Sequence, residues 1–75
     1  MITYNQLYID TRNLLRANGV ESANLEARLM VAGAAGKTTG ELVRDFMLYT
    51  GDGIVKAVGN MASRRLAGEP LAYIL

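Results

Sequence analysis

The residues whose spacing most resembles a chemical motif are Gly36, Lys37 and Thr38, which match the end of a phosphate-binding loop. The full motif begins with a further glycine, because backbone N–H groups must wrap the phosphates, and here that position holds Val31. The motif also follows a β-strand, whereas the residues before Gly36 have a helical pattern. We therefore interpret Gly36 as a helix end, Lys37 as a linker residue and Thr38 as the N-cap of the next helix.

The amino-acid composition excludes several common kinds of catalytic and metal site. The 75-residue sequence has no cysteine and no histidine, which removes Cys–His pairs, Ser–His–Asp triads and the usual metal-ligand clusters. Carboxylates remain, but Glu26 and Glu41 fall on different predicted helices, and no spacing brings two acids together for acid–base chemistry. The sequence therefore predicts no catalytic, cofactor-binding or metal-binding residue.

The adjacent pair Arg64 and Arg65 is a candidate contact for a partner. Both residues lie in the last turn of a predicted helix, where positive charge also complements the helix dipole by at most about 1 kcal/mol. A partner contact and a solvated helix end are thus the two interpretations of this pair. The net charge of +1 argues against nucleic-acid binding by bulk attraction.

The elements that position these residues are predicted to be helices. Apolar residues recur at steps of three and four, and no stretch alternates with a period of two. Capping boxes are predicted for Thr3 with Gln6 and for Thr38 with Glu41, and Ser22 is a further N-cap. The predicted helices follow Thr3 as far as Asn18-Gly19, span Ala23 to Ala35, follow Thr38 through Tyr49, and extend from about Asp52 to Ala67. The fold class expected is all-α, a small bundle of four to five short helices without a sheet.

The length of the chain allows one domain with a modest core, so we treat residues 1–75 as a single unit. Three tyrosines, Tyr4, Tyr8 and Tyr49, fall on the apolar stripes of the first and third predicted helices. Aromatic side chains in such positions are expected in the core or at its edge.

The last segment is the most informative part of the sequence. Gly68 ends the fourth predicted helix, and Pro70 prevents its continuation. Leu71, Tyr73 and Ile74 then place large apolar side chains beyond that helix. We expect these five residues either to fold back onto the bundle or to form a junction with another domain.

This segment resembles the junction of the HemK/PrmC family of glutamine methyltransferases, in which a helix carrying Arg-Arg is followed by Gly-x-Pro-x-Ala-Tyr/His-Ile/Leu. The upstream sequence is also similar to that family, with a Glu-Ala pair, an apolar helix and a terminal glycine. The resemblance runs in order along the whole chain. The matching residues are Arg64, Arg65, Gly68, Pro70, Ala72, Tyr73 and Ile74 at the junction, Glu26, Ala27, Leu29, Met30 and Gly36 upstream, and Leu7, Arg12, Leu14, Leu15, Gly19 and Val20 near the start.

The resemblance implies a two-part enzyme. In the family, a small helical N-terminal domain precedes a Rossmann-like domain that binds S-adenosylmethionine and holds a glutamine amide with an Asn-Pro-Pro-Tyr motif. The substrate is the Gly-Gly-Gln glutamine of class 1 peptide chain release factors, which the N-terminal domain helps to recognise. Residues 1–75 contain neither motif, so we expect a helical domain cut before its methyltransferase domain and inactive alone. Its expected partners are release factors and that methyltransferase domain.

Two other functions are left open. A related methyltransferase that acts on a large-subunit ribosomal protein shares this style of junction. An independent helical adaptor or nucleic-acid-binding module is the other alternative, but the third predicted helix offers only Arg44 and Asp45 where a DNA-recognition helix would be rich in polar and basic residues. Because no signal peptide and no apolar run of about 18 residues is apparent, we expect a cytoplasmic protein that does not enter a membrane.

Overall fold

Five helices joined by short connections form the fold in the computed structural model, which describes residues 1–75. The helices are α1 (Tyr4–Ala17), α2 (Ala23–Ala35), α3 (Thr39–Arg44), α4 (Asp52–Leu66) and α5 (Leu71–Ile74). Helix α2 contacts α1, α3 and α4, and α5 packs on α4. The predicted all-α bundle of four to five short helices is confirmed.

Helix α2 lies at the centre because its residues are small and apolar nearly all round. Its buried alanines, Ala23, Ala27 and Ala32, allow the neighbouring helices to approach closely. One core then forms from four helices, since each contributes at least one large side chain that is almost completely removed from water. These side chains are Leu15, Met30, Val31, Leu42 and Val58.

The predicted N-terminal caps are formed to different extents. Thr38 and Glu41 make the full capping box: the Glu41 N–H donates to Thr38 Oγ1 at 3.1 Å, and the Thr38 N–H donates to Glu41 Oε1 at 2.8 Å. At α1 the Gln6 N–H donates to Thr3 Oγ1, but the Gln6 amide donates along its own helix, so that box is half formed. Ser22 precedes α2 without a side-chain capping bond.

The third helix is shorter than its apolar pattern predicts, because α3 ends at Arg44. The carbonyl groups of the following loop bind α1 instead. The Tyr4 N–H donates to the Leu48 carbonyl at 3.0 Å, and the Asn5 N–H donates to the Phe46 carbonyl at 2.9 Å. These first-turn N–H groups have no partner within their own helix, so the loop satisfies donors that would otherwise be left unpaired.

A single antiparallel bridge joins Thr3 to Tyr49, whereas the sequence predicts no sheet pairing at all. The bridge fixes the backbone of Tyr49 but leaves its ring exposed. The predicted core position of Tyr49 is therefore wrong, because the loop that carries it follows the start of α1 and not the apolar face of α3. Tyr4 and Tyr8 are buried, as predicted.

Asp45 holds the end of α3 in place through two cations. Its carboxylate accepts hydrogen bonds from Arg44 at 2.9 and 2.8 Å and from Lys37 Nζ at 2.8 Å. The hydrogen bonds from Arg44, and to a lesser extent the one from Lys37, hold the pKa of Asp45 well below its ordinary value of 3.8. Because Lys37 also lies 5.5 Å from the ring centroid of Tyr4, the network connects α1 with the connection between α2 and α3.

We expect the stabilisation by Asp45 to disappear in acid. The Asp45 carboxyl takes up a proton more readily in the unfolded chain than in the folded one, so acid favours the unfolded state. The contribution is complete above the ordinary pKa of 3.8 and declines as the pH falls from there towards the lowered pKa. Urea unfolding of the wild type and the Asp45→Asn variant should therefore converge as the pH is lowered. A difference in stability that is the same at every pH would contradict this assignment.

Candidate interdomain junction and docking surface

The end of α4 is built by a glycine turn. The Glu69 N–H donates to the Arg64 carbonyl and the Gly68 N–H donates to the Arg65 carbonyl, both at 3.1 Å, which is the Schellman arrangement. It requires a left-handed residue, and Gly68 has φ +103°. Pro70 then precedes α5, so the chain reverses direction and returns towards the bundle.

The returning segment places its apolar side chains on opposite sides. Ile74 is only 7% exposed, and Leu71 packs against the core, so these two residues belong to the domain. Tyr73 is 78% exposed, whereas Leu75 is about half exposed and its Cδ2 lies close to Gly33 of α2. The candidate junction is therefore divided into an inward half and an outward half, and Tyr73 is the largest apolar group on the outward half.

Arg64 ties the returning segment to α4. Its Nε donates to Glu69 Oε2 at 2.7 Å, and its Nη2 donates to the Tyr73 carbonyl at 3.3 Å. Both acceptors lie within the segment that follows the glycine turn. Arg64 thus bonds within the chain at the junction, although its side chain is about half exposed.

Arg65 ties α4 to α2. Its Nε donates to Glu26 Oε1 at 2.6 Å, in an ion pair whose two side chains are mostly buried. The hydrogen bond from Arg65 to this carboxylate holds the pKa of the arginine above its ordinary value. Because Glu26 is 39 positions away in sequence, local spacing did not identify it as the partner. The structure therefore places Arg64 and Arg65 in two different intrachain contacts.

A polar cleft of about 470 Å³ lies beside this ion pair, where the α1–α2 connection faces the end of α4. A second, apolar groove of about 220 Å³ lies between α1 and α4. The residues that line the polar cleft are Asn18, Gly19, Val20, Glu21, Ser22, Glu26, Arg65, Leu66 and Gly68. The described side chains hold no group of three His, Cys, Asp or Glu residues that would bind a metal ion.

Several exposed apolar side chains lie on α3 and the loop after it. We use the name α3-loop face for the exposed side chains of Val43, Met47, Leu48 and Tyr49. Three of these residues are consecutive, and Met47 is 75% exposed. Contiguous apolar surface of this kind marks interaction sites more often than isolated exposed residues do. Sequence reasoning missed this face because it placed Tyr49 in the core.

A family comparison agrees with the residues at the junction. The family model for the PrmC N-terminal domain matches residues 6–75, which includes α2 to α5 and nearly all of α1. Searches of curated proteins and of solved structures gave no match. None of the helices has the length and apolar character needed to cross a membrane. The chain therefore belongs to the PrmC N-terminal domain family, whose members are domains of PrmC-type methyltransferases.

Proposed function

We propose that this chain is the substrate-docking domain of a cytoplasmic protein-(glutamine-N5) methyltransferase, acting on the Gly-Gly-Gln glutamine of class 1 peptide chain release factors. The observation that carries the proposal is the family match over residues 6–75. The exposed apolar α3-loop face supports a role in protein contact, because such surface is otherwise unfavourable in water.

S-adenosylmethionine is the methyl donor that this proposal requires, and the residues of the chain do not fit it. A Rossmann-type site is formed by a glycine-rich loop between a parallel strand and a helix. The chain has five helices and one isolated bridge, so it has no sheet edge against which the cofactor would lie. The cofactor and the methyl transfer belong, in this proposal, to a methyltransferase domain that the present chain helps to position.

The two halves of the returning segment suggest how the domains would meet. Ile74 and Leu71 fix α5 to the bundle, which leaves the ring of Tyr73 directed outward. An exposed tyrosine is a common interface residue because its large ring loses little conformational freedom on binding. We propose that Tyr73 contacts the methyltransferase domain, which leaves the α3-loop face for the release factor.

Calorimetry on the purified chain tests this function. A class 1 release factor is titrated into the chain, and the large-subunit ribosomal protein methylated by the related enzyme is titrated in parallel. We expect micromolar binding of the release factor, since a domain of this size offers an interface at the small end of the range. The chain should also slow methylation of the factor by a separate full-length enzyme, through competition.

The two titrations distinguish the alternatives. Binding of the ribosomal protein but not the release factor would assign the domain to the related methyltransferase. Absence of binding to both proteins, together with no competition, would contradict a docking role.

A further inference from the structure

Two arginines converge on one buried ring at the junction of α1, α2 and the loop after α3. Phe46 stacks on Tyr8, with ring centroids 5.6 Å apart and an interplanar angle of 21°. The guanidinium carbons of Arg12 and Arg28 lie 5.7 and 5.9 Å from the same Tyr8 centroid. Both distances are within the range of cation–π attraction, so each guanidinium group is attracted to the same ring.

Neither arginine has a carboxylate partner. The four ion pairs of the chain use Lys37, Arg44, Arg64 and Arg65 as their cations. Arg12 makes only long hydrogen bonds of 3.3 and 3.4 Å, to the neighbouring Asn13. The Nε atom of Arg28 is buried and has no hydrogen-bond partner.

The unpaired Nε of Arg28 is unusual, because a buried donor on a charged group destabilises the fold unless an acceptor reaches it. The carboxylates on the same elements are already engaged elsewhere. Asp10 accepts a hydrogen bond from Gln6, Glu26 binds Arg65, and Asp45 binds its two cations. The chain thus places two partly buried guanidinium groups around one ring and pairs neither with a carboxylate.

The apolar α3-loop face continues from this cluster. Phe46, which stacks on Tyr8, directly precedes the exposed residues Met47 and Leu48. The hydrogen bonds from the first turn of α1 to the Phe46 and Leu48 carbonyls hold this loop against α1. The exposed apolar residues of this loop therefore begin directly after the ring that stacks on Tyr8, which both arginines approach.

We infer that Arg12, Arg28 and the α3-loop face together bind an acidic, partly apolar segment of the protein substrate. The inference rests on the proposed function and specifies the chemistry of its ligand. Guanidinium groups bind carboxylates through paired charge-assisted hydrogen bonds, and the apolar residues beside them require an apolar partner surface. A protein segment meets both conditions, whereas a nucleic-acid backbone would leave Met47 and Leu48 without an apolar partner.

The test compares Arg12→Gln and Arg28→Gln, each of which removes one positive charge, and also their combination. The Arg12→Gln/Arg28→Gln variant removes both guanidinium groups of the cluster. The control is Arg16→Gln, since Arg16 is also on α1 and also lacks a carboxylate but is exposed and bonds only to Asn24. Binding of a class 1 release factor is measured by calorimetry at two salt concentrations. We expect the Kd to rise about tenfold for each cluster arginine removed, and the control to stay within about twofold of the wild type.

Folding is checked separately, because Arg28 is half buried. Circular dichroism should show the same helical signal for all variants. If Arg28→Gln unfolds the chain, Arg12→Gln alone must still weaken binding about tenfold, and Arg12→Lys must weaken it less. An unchanged Kd for Arg12→Gln then overturns the inference.

The remaining outcomes separate this inference from the proposed function. A release factor that binds all variants equally overturns the inference and leaves the docking role intact. A wild-type chain that binds no factor overturns both. Arginine-dependent binding of single-stranded oligouridine, of a second copy of the chain, or of an isolated PrmC-type methyltransferase domain added in trans would reassign the surface and also overturn the inference.

Discussion

Replacing Leu42 with alanine is expected to lower the free energy of unfolding by about 3 kcal/mol, the usual cost of a large cavity in a core. Leu42 is fully buried, and it is the only buried residue of α3. A helix of six residues is far too short to persist without such packing. In a domain of this size the melting temperature should fall by roughly 12 °C or more.

The adjacent residue provides the control. Val43 is exposed, so Val43→Ala should change the free energy of unfolding by no more than about 0.5 kcal/mol. Thermal unfolding followed by circular dichroism gives both values. Amide hydrogen exchange should in addition show faster exchange around the loop after α3 in Leu42→Ala. Equal losses in the two variants would contradict the view that a single side chain fixes α3.

The second large effect is expected at the returning segment. Ile74→Ala should lower the free energy of unfolding by about 2 kcal/mol, because Ile74 is buried against the bundle. Tyr73→Ala should stay within about 0.5 kcal/mol, since its exposed ring leaves no cavity when it is removed. Chemical denaturation at low protein concentration measures both variants without interference from self-association.

These single variants resolve the two alternatives for the segment. Folding back of the whole segment would make both changes destabilising, and a wholly detached junction would make neither destabilising. The structure predicts a divided result, with a loss of stability for Ile74→Ala only. At high concentration, Tyr73→Ala should be more soluble than the wild type, because it removes the largest exposed ring of α5. Equal destabilisation by the two variants would contradict the division.

Much of the fold was predictable because its helix boundaries are encoded locally. The Thr38 and Glu41 capping box forms as its spacing predicts, and glycines end α1, α2 and α4. The alanines of α2 are equally visible in the sequence, and they make this helix slim enough for its neighbours to approach closely. These signals act over a few residues, so they are visible in the sequence without any knowledge of the tertiary structure.

The end of α3 was not predictable from such signals. Leu42, Phe46 and Tyr49 have helical spacing, which favours a helix through Tyr49. The helix ends earlier because carbonyl groups after Arg44 bind N–H groups of α1, some forty positions away in sequence. A contact at that separation leaves no local pattern, and it changes a predicted core tyrosine into an exposed one.

The same limitation applies to the charged side chains. Arg64 and Arg65 were interpretable as partner contacts because they are adjacent and basic. The partner of Arg65 is Glu26 on another helix, and only the packing of α4 against α2 brings the two together. Likewise, the sequence gives no sign that Arg12 and Arg28 meet at Tyr8. Side-chain pairs that form only when helices pack can be identified only from the tertiary structure.

The hydrogen bonds between the first turn of α1 and the loop after α3 also affect the order of events during synthesis. The ribosome makes α1 first, but the acceptors for its Tyr4 and Asn5 N–H groups are made some forty residues later. Until Leu48 has left the exit tunnel, the start of the nascent helix must rely on water for those bonds. We therefore expect the start of α1 to be completed only after the loop that follows α3 has been made, and changes just before Tyr4 to disturb a loop that is remote in sequence.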